Sequence, residues 1–222
     1  MSDLDIKTHT LAARTFCILL AIINAFDLDA EQLNGINTFI NSSLDELVYV
    51  ELSDDWWKLK GVWNLKKDVY VLHLLCVLYG LRRSPLLWLK ELSATLKQLG
   101  FVPISEDKCL FTNRWIIIFF YIDDTVVVSH SDDREEKDQL IKDFKNTYEF
   151  QQMGNLEWFL NMRITRNWSS KKLWLCQDAY IDKLINTYHL AHARKAPTPL
   201  SSVSLAPHQG TASPEDTHYY QH

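Results

Sequence analysis

Two adjacent carboxylates, Asp123 and Asp124, interrupt one of the most apolar stretches of this chain, "IIIFFYIDDTVVVS" at residues 116–129. Burying an unpaired carboxylate costs several kcal/mol, and a second one beside it adds repulsion. Three arrangements relieve that cost. The acids form an exposed turn, for which Asp is well suited; one of them protonates; or a divalent cation lies between them. The flanking runs, Ile116 to Phe120 and Val126 to Val128, read as strands. The acids are therefore expected at or near the tip of a hairpin, over Ile122-Asp123-Asp124-Thr125. Spacing alone leaves the surface turn and the cation site both open.

The elements that position this tip follow from periodicity. "HTLAARTFCILLAIINA" (9–25) places Leu11, Phe16, Leu19, Leu20 and Ile23 at near-helical spacing and predicts a mostly buried helix. Residues 44–52 and 69–75 read as short strands around a Trp- and Lys-rich loop or hairpin. Pro85 suits the first turn of a helix that runs to a stop at Gly100. "KCLFTN" precedes the acidic hairpin as another strand. A solvent-facing helix follows it, with Ser131 and Asp132 as caps and Leu140, Ile141 and Phe144 as its apolar stripe. "LEWFLNMRITRN" and "KLWLCQD" predict a second hairpin around Ser169-Ser170, and "AYIDKLINTYHL" a short helix. From Pro197 the chain is rich in Pro, Ser and Thr, as loose tails are. Interspersed strands and helices predict an α+β domain, an antiparallel sheet with helices packed on one face.

Composition bounds the function without naming it. The chain has 222 residues, 47% of them hydrophobic, a net charge of −5 and a pI near 5.9. Nucleic-acid binders are usually basic, so the balance counts mildly against one. Four scattered cysteines predict free thiols in a reducing compartment and no zinc site. Neither a signal peptide nor a run of about 20 apolar residues is apparent, which predicts an intracellular protein, cytoplasmic or nuclear, without a membrane partner.

Tyr121-Ile122-Asp123-Asp124 between its apolar strands resembles the YxDD box of reverse transcriptases. "LYGLRRSPLLWLKEL" (78–92), "LGFVPISEDKCLFTN" (99–113), "MGNLEWFLNMRITR" (153–166) and the downstream "KAPTPLSS" and "ASPEDTHYYQ" are similar, in the same order, to segments of copia-type LTR-retrotransposon reverse transcriptases. The likeness covers residues 8–221. It implies a right-hand polymerase: a palm with partial fingers over 1–166 (about 50–83 being finger-like), the start of a thumb or connection region over 167–196, and a tail over 197–222. It implies an RNA template, a DNA primer, dNTPs and Mg²⁺ or Mn²⁺ as partners, together with association with intact proteins of the element. By match, Asp123 binds a catalytic metal and Asp124 accompanies it. Tyr121, Gly80, Arg82, Arg83, Ser84 and Pro85 fall where template and incoming nucleotide are contacted, and Phe39 matches the aromatic that lies under the sugar.

The likeness also breaks at a telling place. In "LNGINTFINSSLDELVYV" (33–50), Asn34 stands where the resemblance implies the second catalytic Asp. Asn keeps a carbonyl ligand and loses a negative charge, so weak metal binding and lost activity are expected. Asp27, Asp29 and Glu31 lie outside the motif position and are not expected to substitute. Asn161 replaces a turn glycine, which a left-handed backbone tolerates. The family's basic fingers are expected upstream of residue 1. The chain therefore reads as a truncated, degenerate element, a pseudogene-like fragment. The alternative outside polymerases is a non-catalytic metal- or protein-binding α+β module. Trp56, Trp57 and Trp63 interleaved with lysines read first as a half-buried hairpin with solvated lysines and second as a stacking, phosphate-contacting surface. His189 and His192 lack a third ligand.

Overall fold

A computed structural model describes residues 9–51 and 71–193, with 210, 211, 213 and 214. The Trp- and Lys-rich stretch and nearly all of the tail lie outside the described residues. Contacts divide the chain into two compact units, Met1–Ala179 and Tyr180–His222.

The first unit is built on a six-stranded antiparallel sheet in the order β4-β5-β6-β7-β1-β8. Its strands are β1 (Asp29–Gly35), β4 (Val102–Ile104), β5 (Asp107–Thr112), β6 (Ile116–Tyr121), β7 (Asp124–Ser129) and β8 (Phe150–Asn155). A two-stranded ribbon joins β2 (Tyr49–Glu51) to β3 (Val71–His73), and a three-stranded sheet joins β9 (Trp158–Phe159), β10 (Met162–Asn167) and β11 (Lys172–Cys176). The helices are α1 (Ala13–Ala25), α2 (Ser84–Gln98), α3 (Arg134–Thr147) and α4 (Asp178–Thr187), the last crossing into the second unit. In that second unit, a 3₁₀ turn over Leu190–His192 follows.

The central hairpin is held by burial. From Thr125 to Ser129 every residue of β7 is buried, as are Ile118, Phe119 and Phe120 of β6. Side chains alternate between the faces of a strand, so unbroken burial requires cover on both. Phe119 meets Phe16 of α1 and Phe159 of β9 on one face. On the other, Phe120 stacks on Phe111, and the pairings through Thr125, Leu33 and Gly35 lead to Phe150. Phe150 in turn meets Phe144 of α3 and Tyr148, and Tyr148 meets Trp88 of α2. Helices thus flank both faces of the sheet, not the single face expected from the sequence. The reason is that β6 and β7 are apolar on both sides and need two covers.

Local signals mostly produced the elements they predicted. The five apolar positions of the first helix segment are all buried. Pro85 occupies the first turn of α2, and Gly100 follows its end at φ +84°, the left-handed stop that glycine allows. The predicted caps of α3 differ. Ser131 and Asp132 lie in a 3₁₀ turn, and it is His130 Nδ1 that accepts from the Asp132 N–H at 3.3 Å. Leu160 and Asn161 form the two-residue β9–β10 turn with φ of +51° and +61°. Positive φ at both positions is the preferred geometry of such hairpins, and Asn tolerates it. All four cysteines are free, and burial pushes the Cys109 thiol up to about 12.

Candidate functional site

The β6–β7 turn is two residues long, because Tyr121 pairs directly with Asp124. Ile122 takes φ +57° there, a costly conformation for a β-branched residue. The surroundings hold it. Trp88 Nε1 donates to the Ile122 carbonyl at 2.7 Å, and the Gly35 N–H donates to the Asp123 carbonyl at 2.9 Å. The tip is therefore gripped by α2 from one side and by β1 from the other. A Cβ at Gly35 would overlap Thr38 Cγ2 and lie 3.2 Å from Phe150, so only glycine permits this approach.

β1 brings Asn34 to the acidic pair. Asn34 pairs directly with Asp124 across the β1–β7 ladder. Directly opposed residues share a face, with Cβ atoms about 4.5–5.5 Å apart. Gln32, two residues earlier on the same face, donates from Nε2 to Asp124 Oδ1 at 3.1 Å. Asp124 is half-buried, and its carboxyl is raised above the ordinary range by burial first; the Gln32 hydrogen bond opposes this, and the neighbouring Asp123 charge adds to it.

The other acids of the segment are committed elsewhere. Asp29 and Glu31 alternate onto the opposite face of β1 from Asn34. Glu31 pairs with Lys137 at 2.6 Å, and Asp27 with Lys171 at 2.8 Å. Among the described residues, no group of three or more His, Cys, Asp or Glu is placed to hold a metal ion. The donor set at the tip is two carboxylates and two neutral amides. Carboxylate and amide oxygens are the kinds of donor that hard divalent cations take.

The remaining sequence-derived positions cluster around the tip in part. Phe39 is buried in a 3₁₀ turn over Thr38–Asn41, which begins three residues after Gly35, and its ring lies 4.5 Å from that of Tyr79. Tyr79 Oη is 3.4 Å from Thr38 Oγ1. Gly80 has φ +96°, which explains its identity. Ser84 is buried at the start of α2 and donates to the Leu78 carbonyl at 2.6 Å; its role here is to fix the loop. Arg83 is engaged by Asp45 at 2.6 Å and Glu46 at 3.8 Å, which leaves little charge for a phosphate. Arg82 is exposed and makes no ion pair among the described residues. Sequence reasoning missed Gln32, Gly35, Tyr79 and Trp88. Only Gly35 carried a legible signal, as a glycine next to the expected acidic position.

Comparison with known proteins places the chain in a family. The family model described as reverse transcriptase (RNA-dependent DNA polymerase) matches residues 7–202. The retrovirus-related Pol polyprotein from transposon TNT 1-94 of Nicotiana tabacum is 27% identical over 82% of this chain and 14% of its own length. The putative transposon Ty5-1 protein YCL074W of Saccharomyces cerevisiae is 28% identical over 73% of this chain and 51% of its own. The Pol polyprotein from transposon RE2 of Arabidopsis thaliana is 27% identical over 85% of this chain and 13% of its own. The chain thus spans between about an eighth and a half of these relatives. The residues matched are those that form the sheet, the acidic turn and the strand beside it, and the chain belongs to the copia-type reverse transcriptase (RNA-dependent DNA polymerase) family.

Proposed function

We propose that this chain carries the palm of a right-hand polymerase whose template-directed nucleotidyl-transfer site has lost one anionic ligand. In this reading residues 1–166 are palm with partial fingers, and the thumb or connection region begins at 167. The family implies binding of nucleic acid and dNTPs and generally uses divalent metal ions. When bound, such cations supply Lewis acidity to the primer hydroxyl and to the leaving group. The chain's own contribution is a rigid platform. Asp123 and Asp124 offer oxygen ligands on a turn whose two carbonyls are fixed from opposite sides, and Phe39 packs on Tyr79 in the 3₁₀ turn that follows β1.

The observation that carries this reading is the register that sets Asn34 against Asp124. An ion there meets a neutral amide in place of a carboxylate. The half-buried Asp124 is then left costly to ionise, because the counter-charge that would favour its ionised form is bound less well.

The test is primer extension on an RNA template with magnesium or manganese. The 222-residue chain is expected to add no nucleotides. Extension by this chain that disappears in Asp123→Ala would overturn the loss of activity. No helix among the described residues is long and apolar enough to cross a membrane.

A further inference from the structure

A groove of about 690 Å³ runs between α2 and the β4–β5 edge of the main sheet. Lys90, Lys97 and Lys108 line it, with Arg83 at one end, and no carboxylate lines it. That is an uneven distribution for a chain of net charge −5. The three lysines are exposed, and none is ion-paired among the described residues, whereas Arg83 is already held by Asp45. The floor includes Leu86, Leu89 and Phe111, apolar surface along which lysine stems can lie while their ammonium groups stay in water.

The groove is separate from the acidic tip. Phe111 belongs to the sheet face that carries Phe120, and Asp124 alternates onto the opposite one. Lys90 and Lys97 are seven residues apart on α2, so their Cα atoms are about 10.5 Å apart along the axis, at about 1.5 Å per residue. A basic groove of that length is the feature by which proteins track a single-strand backbone without reading its sequence. Unpaired lysines act as point charges that tolerate variation in phosphate position.

We propose that this groove is a second nucleic-acid contact, in which Lys90, Lys97 and Lys108 neutralise phosphates of a single strand between α2 and the β4–β5 edge. The choice of nucleic acid as the polyanion rests on the family reading above; the groove's charge and geometry do not. Neutralising three single-strand phosphates contributes about −2 to the slope of log K against log salt, or about a 20-fold loss of affinity between 50 and 200 mM.

The test uses the full chain and a fluorescent 20-nucleotide oligo-dT, titrated at several salt concentrations. Lys90→Gln, Lys97→Gln and Lys108→Gln are combined, with circular dichroism melting to confirm that the exposed substitutions leave the fold intact. The expected result is a slope shallower by about 2 in the triple variant. An unchanged slope, or no binding by the unsubstituted chain, would overturn the groove assignment. So would competition by polyglutamate equal to that of oligo-dT at matched charge, which would mark a surface for acidic protein. Because the readout is binding, primer extension can fail while this result stands, and the reverse.

Discussion

The two walls of the candidate site are made of opposite materials. The β6–β7 hairpin is apolar on both faces and is buried to the base of its turn. β1 reads Asp-Ala-Glu-Gln-Leu-Asn-Gly, with Leu33 as its single large apolar residue. Those residues are mostly poor strand formers. β1 nevertheless lies inside the sheet, paired with β7 on one side and β8 on the other. One wall carries its own strand propensity, while the other takes its conformation from its neighbours. A polar strand held this way places amides and acids at a site without depending on them for folding. Exchange of an acid and an amide at position 34 is therefore expected to change cation binding more than it changes the fold.

That contrast can be broken at the point where the walls meet. Gly35→Ala is expected to destabilise the chain by about 2 kcal/mol, the range for overpacking, in chemical denaturation. An unaffected midpoint would mean that β1 does not approach the turn so closely. Trp88→Phe keeps most of the buried ring and removes the donor to the Ile122 carbonyl. A loss of about 1 kcal/mol is expected, with the hairpin still formed but its tip exchanging amide hydrogens faster. The smallest effect is on pH dependence. A carboxyl raised in the folded state holds its proton more tightly there than in the unfolded chain. Asp124 thus favours folding below its ordinary value of 3.8, and that advantage is lost as pH rises through the folded value. Asp124→Asn should leave a chain that is more stable at neutral pH than the original, with a flatter decline above the ordinary carboxylate range. A less stable variant would show that the ionised acid is better accommodated than its burial indicates.

The same contrast explains what could be read in advance. The helix at 13–25, the acidic hairpin and the Pro85-to-Gly100 helix all announce themselves by period and punctuation. β1 and β8 do not, since "DAEQLNG" and "FQQMGN" have neither alternation nor β-branched residues, and tertiary pairing decides them. One-sided packing was the natural reading of a mixed α+β pattern, but Phe119 and Phe120 are both buried, and adjacent strand residues face opposite ways. At the site, Asp123, Asp124 and Asn34 were legible because their motifs were. Gln32 and Trp88 were not, because a long polar or indole side chain gives no sign in sequence of which distant acceptor it will reach. The pairing of Arg83 with Asp45, 38 residues away, likewise leaves no sign in local spacing.

In the proposed function, Asn34 and the acidic turn form one cation pocket short of an anion. Manganese affinity, measured by calorimetry on the chain and on Asn34→Asp, tests it most directly. The restored carboxylate is expected to tighten binding by at least about tenfold, and the gain should vanish when Asp123→Ala is added. Equal affinity with and without the substitution would contradict the account, because it would mean that position 34 does not share a ligand with the hairpin.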